Sequence, residues 1–250
     1  MQMNATADHI HQALETVAKL RQQRAGRPDL MAANAAVKRF QARRFQASYA
    51  DLLQSPRYET AARFFLHELY SDKDYAERDQ QFARIASTVT KLFPQAVVDT
   101  AAALAEVHAL TEQLDDAMGR AAVALQSSEP AQSEAGRYIA CWRQVPSPVA
   151  RHQQLQLVLT LGRSLDNLTR KPGLRTLLKM MRGPAASAGL GSLQKFLEAG
   201  FDAFQTMRGA DEFLKRIALR ETDWIEQLFD ADRVACETKL TQLLAGTATL

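Results

Sequence analysis

The chain has 250 residues, of which 46% are hydrophobic, 24% charged and 7% aromatic, with a formal net charge of +3. This is a globular composition and argues against a disordered, collagen-like or disulfide-stapled chain. Two cysteines, Cys141 and Cys236, neither in C-x-x-C spacing, argue against zinc ribbons and thioredoxin-type sites. The longest apolar stretch, 96–110, is interrupted by Asp99, Glu106 and His108, so no membrane span is expected. The first residues carry neither a basic start nor an apolar segment, so reduced thiols and a cytoplasmic location are expected.

The modest net charge conceals segregation. Residues 1–57 carry 9 basic and 4 acidic side chains, and residues 58–136 carry 6 and 13. Residues 137–182 carry 9 and 1, and residues 183–250 carry 7 and 10. Such blocks could face an anionic partner, or acidic and basic helices could neutralise each other within the fold; the weak overall basicity favours the second.

The pattern predicts an all-α fold: a single irregular bundle of about nine to ten helices spanning 1–250, with a possible hinge near 126–132. Helices are expected at about 6–25, 29–54, 56–70, 74–92, 94–126, 131–144, 148–169, 172–182, 189–207 and 210–244. In the second, Lys38, Arg39, Arg43 and Arg44 interleave with Phe40 and Phe45. The pattern could track phosphates and stack bases, but it reads better as core anchors flanked by snorkelling cations. Ser55-Pro56 and Ser147-Pro148 supply a capping hydroxyl before a first-turn proline, and Asp74-x-x-Glu77 is a capping box. In the fifth, Glu106 and His108 diverge, and of the adjacent Asp115 and Asp116 only one is expected to face inward. The alternation Leu155 to Leu161 could be a strand, but it continues at helical spacing through Leu168 and has no strand to pair with. The glycines from Gly183 to Gly191 could start an anion-binding helix, but no Walker sequence is present and close packing explains them as well. In the last helix, Glu221 falls within the apolar stripe Leu214, Ile217, Trp224 and Leu228. It should be paired there, with an arginine of 78–84 as the expected partner.

Residues 64–70 read Phe-Phe-Leu-His-Glu-Leu-Tyr, followed by Arg78-Asp79 and Phe82-Ala83-Arg84-Ile85. With Met180 to Ala185, Leu193 to Phe201 and Arg220-Glu221, this resembles an uncharacterised proteobacterial family named for an FFLEELY motif. The resemblance implies a helical fold and carries no activity. His67 departs from the motif by replacing its first glutamate. On a helix Phe65, Leu66 and Leu69 would share one face as an apolar anchor; Glu68, Asp72, Asp74, Arg78, Asp79 and Arg84 could form a charged cluster in a pocket, but they read better as charges that satisfy helix ends and one another.

There is no His-Glu-x-x-His, EF-hand or Glu-x-x-His pattern, no Gly-x-Ser-x-Gly elbow, and no cofactor is expected. The leading expectation is therefore a non-enzymatic cytosolic interaction protein with a protein partner or a second copy of itself. The alternative is a helical enzyme or a protein that binds a small ligand or metal, with a pocket formed by Glu68, Arg78, Asp79, Arg84 and Glu221. Nucleic-acid binding through 137–182 is a weaker third reading.

Overall fold

The computed structural model describes residues 2–69, 73, 75–126, 133–145 and 148–246. Among them there is no strand. The helices are α1 (Gln2–Ala25), α2 (Pro28–Ser48), α3 (Ala50–Leu53), α4 (Glu59–Phe64), α5 (Ala76–Leu92), α6 (Gln95–Gln126) and α7 (Glu134–Gln144). They continue as α8 (Pro148–Thr169), α9 (Leu174–Met180), α10 (Arg182–Ser187), α11 (Gly191–Met207), α12 (Asp211–Asp230) and α13 (Arg233–Ala245). A π-helical turn, Phe65–Leu69, follows α4.

The all-α class holds, and Leu155 to Leu161 lie inside α8. The helical segments outnumber the nine to ten expected because long periodic stretches break. The 29–54 stretch breaks at Tyr49, and the 210–244 stretch breaks after Asp230, where Asp232 Oδ1 accepts from the Ala235 amide at 3.0 Å. That side-chain cap gives the backbone an alternative to continuing the helix. The 56–70 stretch starts at Glu59 and ends in the π turn. Asp74 of the expected capping box and residues 127–132 of the expected hinge lie outside the described residues.

The 32-residue α6, about 48 Å long at 1.5 Å per residue, is the central strut. It packs against α1, α2, α7 and α8, while α11 and α12 close the far side of α8. One apolar core runs from Ile10 to Leu240. Gly119 permits the close α2–α6 crossing, since a Cβ there would lie 3.3 Å from the Asn34 backbone. Phe40 and Phe45 are buried, and Phe40 stacks on Tyr138 at 4.3 Å, so neither ring is presented to a base.

Helix ends are tied by arginines from elsewhere in the chain. Arg57 donates to Met207 O and Gly209 O at the end of α11, Arg84 to Ala188 O and Gly189 O after α10, and Arg220 to Ser48 O at the end of α2. A cation placed on the last carbonyls satisfies orphan acceptors and complements the helix dipole. The charge blocks also meet inside the fold. Arg21, Arg24 and Lys38 pair with Asp79, Glu112 and Asp116, while Arg175 and Arg182 pair with Asp202 and Glu198.

Candidate functional site

Phe65 and Glu68 of the FFLHELY segment line a cavity of about 50 Å³ between α1, α2, α5, α6, α8 and α11. Phe64 is buried as well as Phe65. The Phe64 ring packs on Phe196 and over Gly200, where a Cβ would meet it at 3.0 Å. Phe65 packs against Phe204 and Phe213. With these rings anchored, the widened π turn places Phe65 and Glu68 together on the cavity wall.

From α5, Arg78 lies between two rings, 4.1 Å from the Tyr75 centroid and 4.6 Å from that of Phe196. Its Nη1 donates to Glu68 O at 3.2 Å, closing the turn, and Tyr75 Oη donates to His67 O at 3.1 Å. Asp79, buried behind it, accepts from Arg21 at 3.0 Å and meets His108 Nε2 at 2.9 Å, both through Oδ2. Burial disfavours a charged Asp79, but His108, Arg78 and Arg21 outweigh it and hold the carboxyl below the usual carboxylate range. An ionised Asp79 can only accept, so His108 donates its Nε2 hydrogen to it.

Further along α6, His108, Glu112 and Asp115 follow at i, i+4 and i+7 and form one stripe facing the cavity. Glu112 is clasped by Lys38 and by Arg24 at 2.8 Å. Burial raises its carboxyl and these cations, with His108, lower it further, so it stays ionised. Arg24 also reaches Asp116 at 3.3 Å. Asp115 and Asp116 are therefore both buried, one towards the cavity and one towards α1, which corrects the expectation that only one could be. The difference is that a charged side chain on the flank of α6 finds Arg24 waiting on α1.

Asp115 stands apart. It is 3% exposed, and its Oδ1 has no hydrogen-bond partner among the described residues. Burial pushes its carboxyl up, against the pull of Lys38, and nearby Glu112 adds to the push. In its neutral form, which burial favours, a carboxyl facing a cavity can both donate and accept.

Of the five residues expected from the sequence, Glu68, Arg78 and Asp79 converge here. Arg84 does not: it is exposed and caps the turn after α10. Glu221 does not either. It lies on α12 and accepts from Arg44 at 2.8 Å and Tyr49 at 2.8 Å, so its partner is Arg44 and no arginine of 78–84. His67 is exposed and lines a different, open groove with Arg39, Arg43 and Arg63. Sequence reasoning missed Lys38, His108, Glu112 and Asp115. For the last three the available signal was their spacing, a polar stripe at i, i+4, i+7 within the Ala- and Leu-rich α6; Lys38, on α2, gave no such signal. Among the described residues, no three His, Cys, Asp or Glu side chains converge as metal ligands.

A family model described as a domain of unknown function, DUF8198, matches residues 20–235. No curated protein and no solved structure matches the chain.

Proposed function

We propose that this chain, which belongs to the DUF8198 family of unknown function, binds a small polar molecule in the cavity walled by Glu68, Arg78, Asp79, His108, Glu112 and Asp115. The observation that carries the reading is Asp115: a buried carboxyl with an unpartnered oxygen on the wall of a cavity. An unmet buried polar atom costs about 1–3 kcal/mol, which a ligand that hydrogen-bonds to it recovers.

The chemistry narrows the ligand. Lys38, Arg24 and Arg21 are already matched by Glu112, Asp116 and Asp79, so a strongly charged ligand would find no counter-ion. A neutral or zwitterionic molecule that offers both a donor and an acceptor suits Asp115 in the neutral form that burial favours. The cavity holds only a few heavy atoms, so a larger ligand would extend outward beside Glu68 and Lys73, whose side chains are partly exposed. His108, oriented by Asp79, is the group suited to exchange a proton with such a ligand.

We prefer this reading to the interaction protein that the lack of catalytic motifs suggested, because the charge blocks pair with one another within the chain. It takes the family to be the one named for the FFLEELY motif, whose residues build the cavity wall. It also places the protein in a bacterial cytoplasm, in keeping with two buried free thiols.

The test is a thermal-shift screen with small amides, ureas and amino acids against the wild type, Asp115→Asn, Asp115→Leu and His108→Ala. The reading expects compounds that raise the wild-type Tm, with the rise kept by Asp115→Asn and lost in Asp115→Leu. No stabilising compound, or equal stabilisation of Asp115→Leu, overturns it.

A further inference from the structure

An open groove of about 630 Å³ lies at the surface between α2 and the end of α4, with Glu134 at the start of α7 on its rim. Sites that take small organic molecules run from about 300 to 1,000 Å³, so one such molecule fits. The groove is distinct from the Asp115 cavity. Of the π turn that separates α4 from α5, Phe65 and Glu68 line the cavity, whereas Leu66 and His67 line the groove.

One wall is a face of α2 on which Arg39 and Arg43 stand one turn apart. Residues at i and i+4 hold their Cβ atoms about 6 Å apart, so both guanidinium groups can reach a single anion. Arg63 of α4 and His67 border the groove from the other wall. Half-buried Ala42, Leu53 and Leu66 supply the apolar part of the lining.

The cations here are held differently from those in the interior. Arg43 pairs with Glu134 through Nη2 and Arg63 with Glu59 through Nε, and all four side chains are about half exposed. Exposed pairs of this kind are weak and leave other guanidinium N–H groups open to a stronger acceptor. Arg39 is exposed and has no carboxylate partner among the described residues. With Glu134 and Glu59 both counted, Arg39 still leaves this surface short of an anion. A phosphoryl group suits it best, because it carries close to two negative charges and three acceptor oxygens, and guanidinium forks match its geometry.

We propose that this groove binds a small organic phosphate, with the phosphoryl group on Arg39 and Arg43 and the apolar part of the molecule against Ala42, Leu53 and Leu66. Arg63 and His67 supply further donors from the opposite wall. A groove of this size encloses one small molecule rather than following a polymer backbone.

The test is isothermal titration of the full chain with phenyl phosphate, and with inorganic phosphate, benzoate and a short single-stranded oligonucleotide at the same ionic strength. Phenyl phosphate should saturate one site and bind more tightly than the other three. Arg39→Glu should weaken it by about tenfold or more, since a hydrogen bond to a charged group is lost and the charge reversed. That side chain is exposed, so the variant should melt as the wild type does. Lys215→Glu makes the same charge change on an exposed residue of α12 outside the groove and should bind as the wild type does. The proposal is overturned if phenyl phosphate does not saturate a site, or if the two variants bind it equally. It is also overturned if inorganic phosphate or benzoate binds as tightly, or if the oligonucleotide binds more tightly and displaces phenyl phosphate, which would make this a nucleic-acid surface.

Discussion

Asp79 and His108 stand 29 positions apart in the chain and 2.9 Å apart in space, Oδ2 to Nε2, across the packing of α5 on α6. The same carboxylate receives Arg21 from α1. One buried anion thus joins three helices and orients an imidazole towards a cavity.

Asp79→Asn should cost about 3–5 kcal/mol at neutral pH, because it leaves Arg21 and Arg78 facing a buried amide. The folded-state value of Asp79 is lowered, so its contribution is fully present above the unfolded carboxylate value, near 4, and is lost as pH falls below that. Urea unfolding at pH 7 and pH 3 should therefore show a wide gap between wild type and variant that narrows in acid.

Asp115→Asn should behave oppositely. The folded-state value of Asp115 is raised, so the fold binds the proton more tightly than the unfolded chain does. Its contribution is present below about pH 4 and lost as pH rises through the raised value. The amide imitates the neutral acid without titrating. The variant should gain stability relative to wild type between pH 4 and 8, as followed by Tm across that range.

Arg84→Ala should cost no more than about 1 kcal/mol, since its two hydrogen bonds are at the surface. Ligand binding should not change. Hydrogen exchange should quicken in the turn after α10, where Gly189 adopts a φ of 66°.

Glu221→Gln should destabilise by about 3 kcal/mol, because Arg44 is buried and depends on that carboxylate. Burial opposes the charge on Arg44, and Glu221 more than offsets it. The response to ligands of the Asp115 cavity should be unaffected; a chemical melt with and without a screening compound separates the two effects.

The helical class was legible because long stretches repeat their apolar residues at helical spacing and strand partners are missing. The breaks near Tyr49 and Asp232 were not, since apolar periodicity runs through both and only capping geometry interrupts it. Glu68, Arg78 and Asp79 could be read as one site because they are close in sequence and joined by a short connection. His108, Glu112 and Asp115 could not be assigned to it, because what unites them with Asp79 is the crossing of α5, α1 and α2 on α6. Glu221 illustrates the same limit: its burial and need for a cation follow from its place in an apolar stripe. The identity of that cation, 177 residues away, depends on tertiary packing.

A native mass spectrum of the purified protein and of Asp115→Leu, at near-physiological ionic strength, tests the central claim most directly. A small-molecule mass should accompany the wild-type polypeptide and be missing from the variant. Both proteins at polypeptide mass alone, whether as monomers or as dimers, would contradict the ligand site and return the molecule to the class of interaction proteins.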